Sequence, residues 1–326
     1  MFGELPKLFD RNFAMAFFLP VVLFIGLIAE IASRFDKGVS LITTLEADLI
    51  VGATLLGVVS WLGGIFLLVT NRGLYRFLEG YGKWNPLKVF GRFEKRYYNR
   101  LSKVLSELDD QYSACIDADK VFPAESQARR SKLMEELVQR FPDKEELMLP
   151  TPFGNTLRAF ETYPRKMYGI ESIYGWSRLL AIIPKEFREL MDNAKTQVDF
   201  WVNIGFLSIL LLLEYAGLAI YTRSLEAWWI PVLIFVMAVF SPNFARNSAV
   251  EWGDYVKSAF DVFAPKLRET LGIPTPTNRE LEKEQWTRFS QAIIYRLPKR
   301  MPELKQEEPE AEEKGSLLTW LFKRKK

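Results

Sequence analysis

The chain of 326 residues contains no histidine and a single cysteine, Cys115. Without histidine there is no Ser-His-Asp or Cys-His nucleophile system. The commonest general base is absent, as is the side chain that ordinarily changes charge near neutral pH. The usual transition-metal ligand is missing too, and one thiol supports neither an internal disulfide nor a cysteine-based zinc site. Strand signals are scarce: no run of alternating apolar and polar residues and no hairpin turn pair stands out, which leaves an all-α reading. No Walker-type or GxGxxG spacing occurs. No cofactor, no metal and no enzymatic activity are therefore expected.

What is present falls into two populations. The chain is 49% apolar and 25% charged, and its mean hydropathy of −0.01 averages very apolar segments with very charged ones. Four apolar segments, 13–31, 49–70, 200–221 and 228–244, approach or reach the roughly 20 residues that a hydrocarbon core of about 30 Å requires. The first follows Lys7 and Arg11 and precedes Ala-Glu-Ile-Ala-Ser, the outline of a cleavable signal. Its apolar run is longer than a signal core and a second span follows closely, so a retained helix is expected. Basic residues set the orientation. Nine lie between Arg72 and Lys103, opposed only by Glu79 and Glu94, whereas 33–47 has Arg34 and Lys37, and 222–227 has Arg223. A multi-pass protein of the cell inner membrane is expected, with both termini cytoplasmic. Trp228 and Trp229 then mark the outer interface and Trp201 the inner one.

The expected fold class is all-α, a four-helix transmembrane bundle with a cytoplasmic helical domain. Its parts are a transmembrane hairpin over 13–70, a cytoplasmic helical domain over 71–197 and a second hairpin over 198–246. C-terminal helices over 247–300 pack on 71–197, and 301–326 is a flexible acidic tether with a basic amphipathic tail. Trp320, Leu321 and Phe322 beside four terminal cations suit an anionic leaflet, so membrane lipids are an expected partner. Apolar positions Phe90, Phe93, Tyr97, Leu101, Val104, Leu108, Tyr112 and Cys115 recur at helical spacing. They read as one face of a helix packed in its own domain or, alternatively, of a stalk against a second copy. Shorter helices are expected over 126–141 and 173–183. Pro184 suits the first turn of a long helix that runs from the cytoplasm into the third span. An amphipathic helix over 247–271 with Gly272 as its C-cap, and another over 278–296, complete the reading.

The stretch LPTPFGNTLRAFETYPRKMYG, 149–169, departs from its surroundings. Asn155 is expected to cap a helix starting near Thr156, which places Arg158 and Glu161 on one face. The stretch is a structural elbow or, in the sharper reading, an anion site with Arg158, Arg165 and Lys166 near a helix N-terminus. Its pattern of Pro150, Thr151, Gly154, Asn155, Arg158, Glu161, Tyr163, Tyr168 and Gly169 is followed by Trp176, Arg178 and Leu179. This resembles a motif of an uncharacterised family of bacterial multi-span membrane proteins. The run Ser258-Ala259-Phe260-Asp261 with Leu271-Gly272 and Trp286 resembles that family's second shared stretch. The resemblance implies an architecture and a bacterial origin and no activity.

Glu214 interrupts the aliphatic run ILLLLEYAGL in the outer half of the third span. A carboxylate there should face protein or water. Ala53, Gly57, Ser60 and Gly64 form a small-residue stripe on the second span that allows close helix approach. The third span is expected to pack on it, with Glu214 hydrogen-bonded to Thr54 or Ser60. Three functional classes follow. The first is a self-associating protein that couples its cytoplasmic domain to the bundle, sensor-like or pore- or effector-like, with homo-oligomers expected. The second is an anchor or scaffold that recruits a cytoplasmic protein partner, and the third is a carboxylate-dependent membrane enzyme. Nucleic acid is not an expected partner, since the positive-inside rule accounts for the basic residues.

Overall fold

The computed structural model describes residues 10–35 and 49–302, all helices and connections with no strand among them. Lys7, Lys37 and all but the first two residues of the expected tether and tail over 301–326 lie outside the described residues. We number the helices α1 (Arg11–Arg34), α2 (Leu49–Leu78), α3 (Gly91–Asp117), α4 (Ala124–Arg140), α5 (Pro152–Tyr168), α6 (Ser172–Ile182), α7 (Lys185–Thr222), α8 (Trp229–Thr270) and α9 (Arg279–Tyr295). Four of them, α1, α2, α7 and α8, are long and apolar enough to cross a membrane. With 38 and 42 residues, α7 and α8 extend for about 57 and 63 Å, well beyond a core of about 30 Å. The absence of a breaker before Phe200 makes α7 continuous, as its sequence implies. Pro184 occupies its N-cap, one residue before the expected first turn.

The chain divides into two compact units. Met1–Pro164 with Ile183–Phe260 forms one, and Arg165–Ile182 with Asp261–Lys326 the other. The first therefore takes in α3, α4 and most of α5 together with the apolar helices, a grouping different from the expected separation at 71 and 197.

Two apolar clusters organise the long helices of the first unit. One joins Phe13, Ala16, Phe17 and Val21 of α1 to Leu67 and Leu207; the other joins Ile31 and Phe35 to Leu211, Tyr215, Ile230 and Ile234. Residues Ala14–Phe18 form a π turn, and within it the Ala16 carbonyl accepts from Asn203 Nδ2 at 2.7 Å, a buried cross-helix bond. Gly205 lets α7 and α8 approach, since a Cβ there would lie 2.3 Å from Ser241 Oγ. Outward, the same helices expose Leu62, Phe66, Val69, Leu213, Ile220, Phe235 and Val239. So much exposed apolar surface is abnormal in water and ordinary in lipid.

The small-residue stripe packs otherwise than its spacing suggests. Gly64 faces α1, with Phe13 and the backbone of Phe17 and Phe18 within 3.4 Å of a Cβ there. Gly57 has nothing within 4 Å and Ala53 is exposed. Ser60 is fully buried, but its hydroxyl has no hydrogen-bond partner, and neither has Glu214 Oε2. The expected bond between Glu214 and Ser60 is not formed, and α1 takes the Gly64 end of the stripe. Thr54 stands on the exposed side of α2, and Glu214 is half-buried beside the exposed Leu213.

Helices α3 and α4 pair along the face that the apolar spacing marks. Leu101 and Leu108 are buried, Tyr112 meets Phe122, and Arg130 binds Asp109 while lying over the Tyr112 ring. The face belongs to its own unit. Phe90 and Phe93, which the spacing places on it, are exposed instead.

The second unit is built on Ile170, Leu179, Leu267 and the fully buried Trp286. Buried Arg268 binds Glu282, which also accepts from Arg279 at 2.8 Å, and Arg268 lies over the Trp286 ring. Tyr168 OH donates to Asp261 at 2.6 Å, and Arg178 lies over the Phe289 ring. Trp176 is half-buried on α6. Gly169 has φ +83°, and a Cβ there would meet the Lys283 carbonyl at 2.5 Å. Helix α8 ends in a Schellman motif, with Gly272 N–H donating to Glu269 O and Ile273 N–H to Arg268 O, so Gly272 serves at C′. Asn278 caps α9 by accepting from Leu281 N–H at 2.8 Å.

Candidate functional site

The most developed polar feature is a cleft of about 620 Å³ in the first unit, where α2 turns from an apolar to a charged helix. Its α2 wall is one helical face: Leu68, Asn71, Arg72, Tyr75, Arg76 and Glu79. Tyr81, Lys195 and Trp252 complete the lining.

Asp199, one turn along α7 from Lys195, is buried beneath this cleft. Its Oδ1 accepts from Asn71 Nδ2 at 3.0 Å and from Tyr75 OH at 2.6 Å. Its Oδ2 accepts from Lys195 Nζ at 2.6 Å. Burying a carboxylate away from water is costly unless donors satisfy its oxygens, and these three do so. Lys195 Nζ also lies 5.6 Å from the Tyr75 ring centroid and 5.8 Å from that of Trp252, within cation–π range. Trp252 is held edge-on by Phe160, whose ring rests against Gly253, where a Cβ would come within 2.4 Å.

The signature stretch backs the cleft, with Arg158 on the Tyr81 hydroxyl and Phe160 against the Trp252 ring. Thr151, not Asn155, caps α5: its Oγ1 accepts from Gly154 N–H at 3.0 Å, and Pro152 takes the first helical position. The Thr151 hydroxyl also donates to Leu78 O at 2.6 Å, satisfying a carbonyl that the end of α2 would leave orphaned. Asn155 lies inside α5 and is fully buried. It accepts from Leu149 N–H at 2.7 Å and donates to Glu94 at 3.1 Å. Helix α2 ends in a Schellman motif, Gly80 N–H to Phe77 O and Tyr81 N–H to Arg76 O, with Gly80 at φ +87° against Pro150. The elbow is thus a clamp on the end of α2. Arg158 pairs with Glu161 at 3.2 Å and with Tyr81 OH. Tyr163 is half-buried. Arg165 and Lys166 fall in the last turn of α5, where Arg165 faces Glu171. They are remote from the helix N-terminus, so the expected anion site there is not assembled.

Burial, together with Glu161, pushes the Glu79 carboxyl up to about 7, against Arg158 and Arg76. Burial also raises Glu161 and Glu94. A carboxyl raised in the folded chain holds its proton where the unfolded chain, with an ordinary value near 4.5, has released it. Its stabilising contribution is complete below the lower value and is lost as pH rises through the upper one. The melting temperature of the detergent-solubilised protein should fall between about pH 4.5 and 7, the window that those two values set. Glu79→Gln should flatten that fall; an identical slope in the variant would refute the assignment.

Sequence reasoning missed Asn71, Tyr75, Lys195 and Asp199. The available signal was a carboxylate directly before Phe200, where the third apolar run begins. Among the described residues no group of three or more cysteines and carboxylates is placed to hold a metal ion. A second groove of about 340 Å³ between α1, α7 and α8 is nearly all hydrocarbon, with Glu30 and Ser208 as its polar residues. No family model, no curated protein and no solved structure matches the chain.

Proposed function

We propose that the chain is a non-enzymatic multi-pass protein of a bacterial inner membrane, with both termini cytoplasmic. It self-associates and passes a contact made by its cytoplasmic helices into the four-helix bundle. The observation that carries this reading is the Asp199 clasp. It ties α2 to a helix that continues without a break from charged to apolar sequence, and it lies next to the clamp that α5 builds on the end of α2. A displacement of α5 reaches α7 through Glu79, Tyr75 and Asp199 without crossing a flexible joint. The exposed Ala53 and the open space at Gly57 support self-association, because they leave half of a helix-packing stripe uncovered.

Hydrogen exchange in lipid nanodiscs tests the coupling. Arg158→Ala, which removes the contacts to Tyr81 and Glu161, should speed exchange in α5 and also in 195–205 of α7. A change confined to α5 and its immediate neighbours would defeat the proposal. A strictly monomeric protein in nanodiscs would remove the self-association.

A further inference from the structure

The connection from α2 to α3 carries exposed large side chains that neither helix needs. Trp84 is 89% exposed, Val89 62% and Phe93 60%, with Phe90 beside them. In a surface meant for water, four such residues within ten positions are out of place. They are also interleaved with exposed cations, Lys83, Lys88, Arg92 and Arg96. The one carboxylate among them, Glu94, turns inward to Asn155. On α3, Phe93 and Arg96 are three positions apart and so neighbours on the helix surface, both exposed, with Arg96 turned away from the buried Leu101 and Leu108.

Two observations say what covers this ridge. First, the exposed apolar stripe of α2 runs through Leu62, Phe66 and Val69 and then gives way to exposed Arg72 and Arg76 before Phe77 in the last turn, the change from hydrocarbon to headgroup composition. The 30 residues of α2 extend for about 45 Å, matching a bilayer of about 40–45 Å with its headgroup layers included. The end of α2 therefore lies at headgroup depth. Second, the ridge is pinned to that end. Buried Asn85 donates to Phe77 O at 2.7 Å and to Tyr81 O at 2.9 Å, and accepts from Leu87 N–H at 2.9 Å. Trp84 and Lys83 are held directly beside it, with Lys83 Nζ 5.8 Å from the Trp84 ring.

We propose that residues 83–96 form a membrane-surface anchor, with Trp84, Val89, Phe90 and Phe93 inserted at the acyl boundary and the four cations on the headgroups of anionic lipid. The anchor rests on the reading of the four long helices as membrane spans. It fixes the start of α3 in the interface, so that lipid composition bears on the clamp at the end of α2. Tryptophan at this depth with adjacent lysine and arginine is the composition that interfaces select.

The full chain in nanodiscs of brominated lipid tests this, with Trp84 emission taken as wild type minus Trp84→Phe. In discs containing phosphatidylglycerol the bromines should quench that difference signal, and aqueous acrylamide should not. Discs of phosphatidylcholine alone, or the variant with Lys83, Lys88, Arg92 and Arg96 changed to Glu, should lose the bromine quenching. Quenching by acrylamide and not by bromine would overturn the anchor. So would shielding from both, which means protein covers the ridge. Equal bromine quenching in the two lipids would overturn its anionic selectivity. Failure of the underlying reading looks different: the chain would stay soluble without detergent and would not enter discs.

Discussion

Asp199→Ala is expected to destabilise the first unit strongly. The substitution leaves Lys195 with no carboxylate and strands the Tyr75 hydroxyl and the Asn71 amide, which were within 3.0 Å of it. Removing one member of a buried charged pair costs about 3–5 kcal/mol. Lys195 is partly exposed, so its share is screened, and the expected loss is about 2–4 kcal/mol. Asp199→Asn should recover about half of it, since the amide oxygen can still accept from Tyr75 while the attraction for Lys195 is gone. Unfolding followed by tryptophan emission reads both variants. Near-equal loss in both would assign the effect to charge alone and remove the hydrogen-bond geometry from the explanation.

Gly80→Ala should be nearly as damaging, for a different reason. Gly80 and Gly82 both have positive φ, +87° and +103°. Each therefore costs about 1–2 kcal/mol on acquiring a Cβ. Only Gly80 also meets a rigid neighbour, with Pro150 Cγ 2.2 Å from the new atom; at Gly82 the nearest contact is 4.0 Å. Gly82→Ala should show the strain alone. Gly80→Ala should cost about 2–4 kcal/mol, because it also pushes the clamp off the end of α2. Equal losses would mean that the clamp yields freely and does not hold α5 in place.

The contrast between Asp199 and Glu214 explains what could be read from the sequence. Runs of apolar residues announce the four long helices, and the lack of a breaker before Phe200 announces the continuity of α7. Within such a run Glu214 is conspicuous, while Asp199 sits among ordinary charges and draws no notice. Its donors come from residues up to 128 positions away in sequence, and helical periodicity carries no information on that pairing. The same limit affected the small-residue stripe: spacing identifies a face that permits close approach, but not which helix takes it. Gly64 received α1.

The clamp was misread by a local choice. Asn155 is a favoured capping residue, yet Thr151 followed by Pro152 is the stronger start signal, because proline at the first helical position needs no partner for its nitrogen. With either start, Arg165 and Lys166 stand at the far end of α5. The continuity of α8 from Trp229 to Thr270 was hidden by Pro242 and by the change to polar composition after Phe244, which together read as two helices.

The claim on which the rest depends is that α7 and α8 cross the membrane in opposite directions. Single cysteines at Glu107, Arg223 and Lys299 in a Cys115→Ser background, probed in sealed vesicles with a membrane-impermeant maleimide, test it directly. The predicted pattern is reaction of Glu107→Cys and Lys299→Cys from one side and of Arg223→Cys from the other. Labelling of all three from the same side would contradict the two crossings, and with them the placement of the Asp199 clasp at the membrane edge.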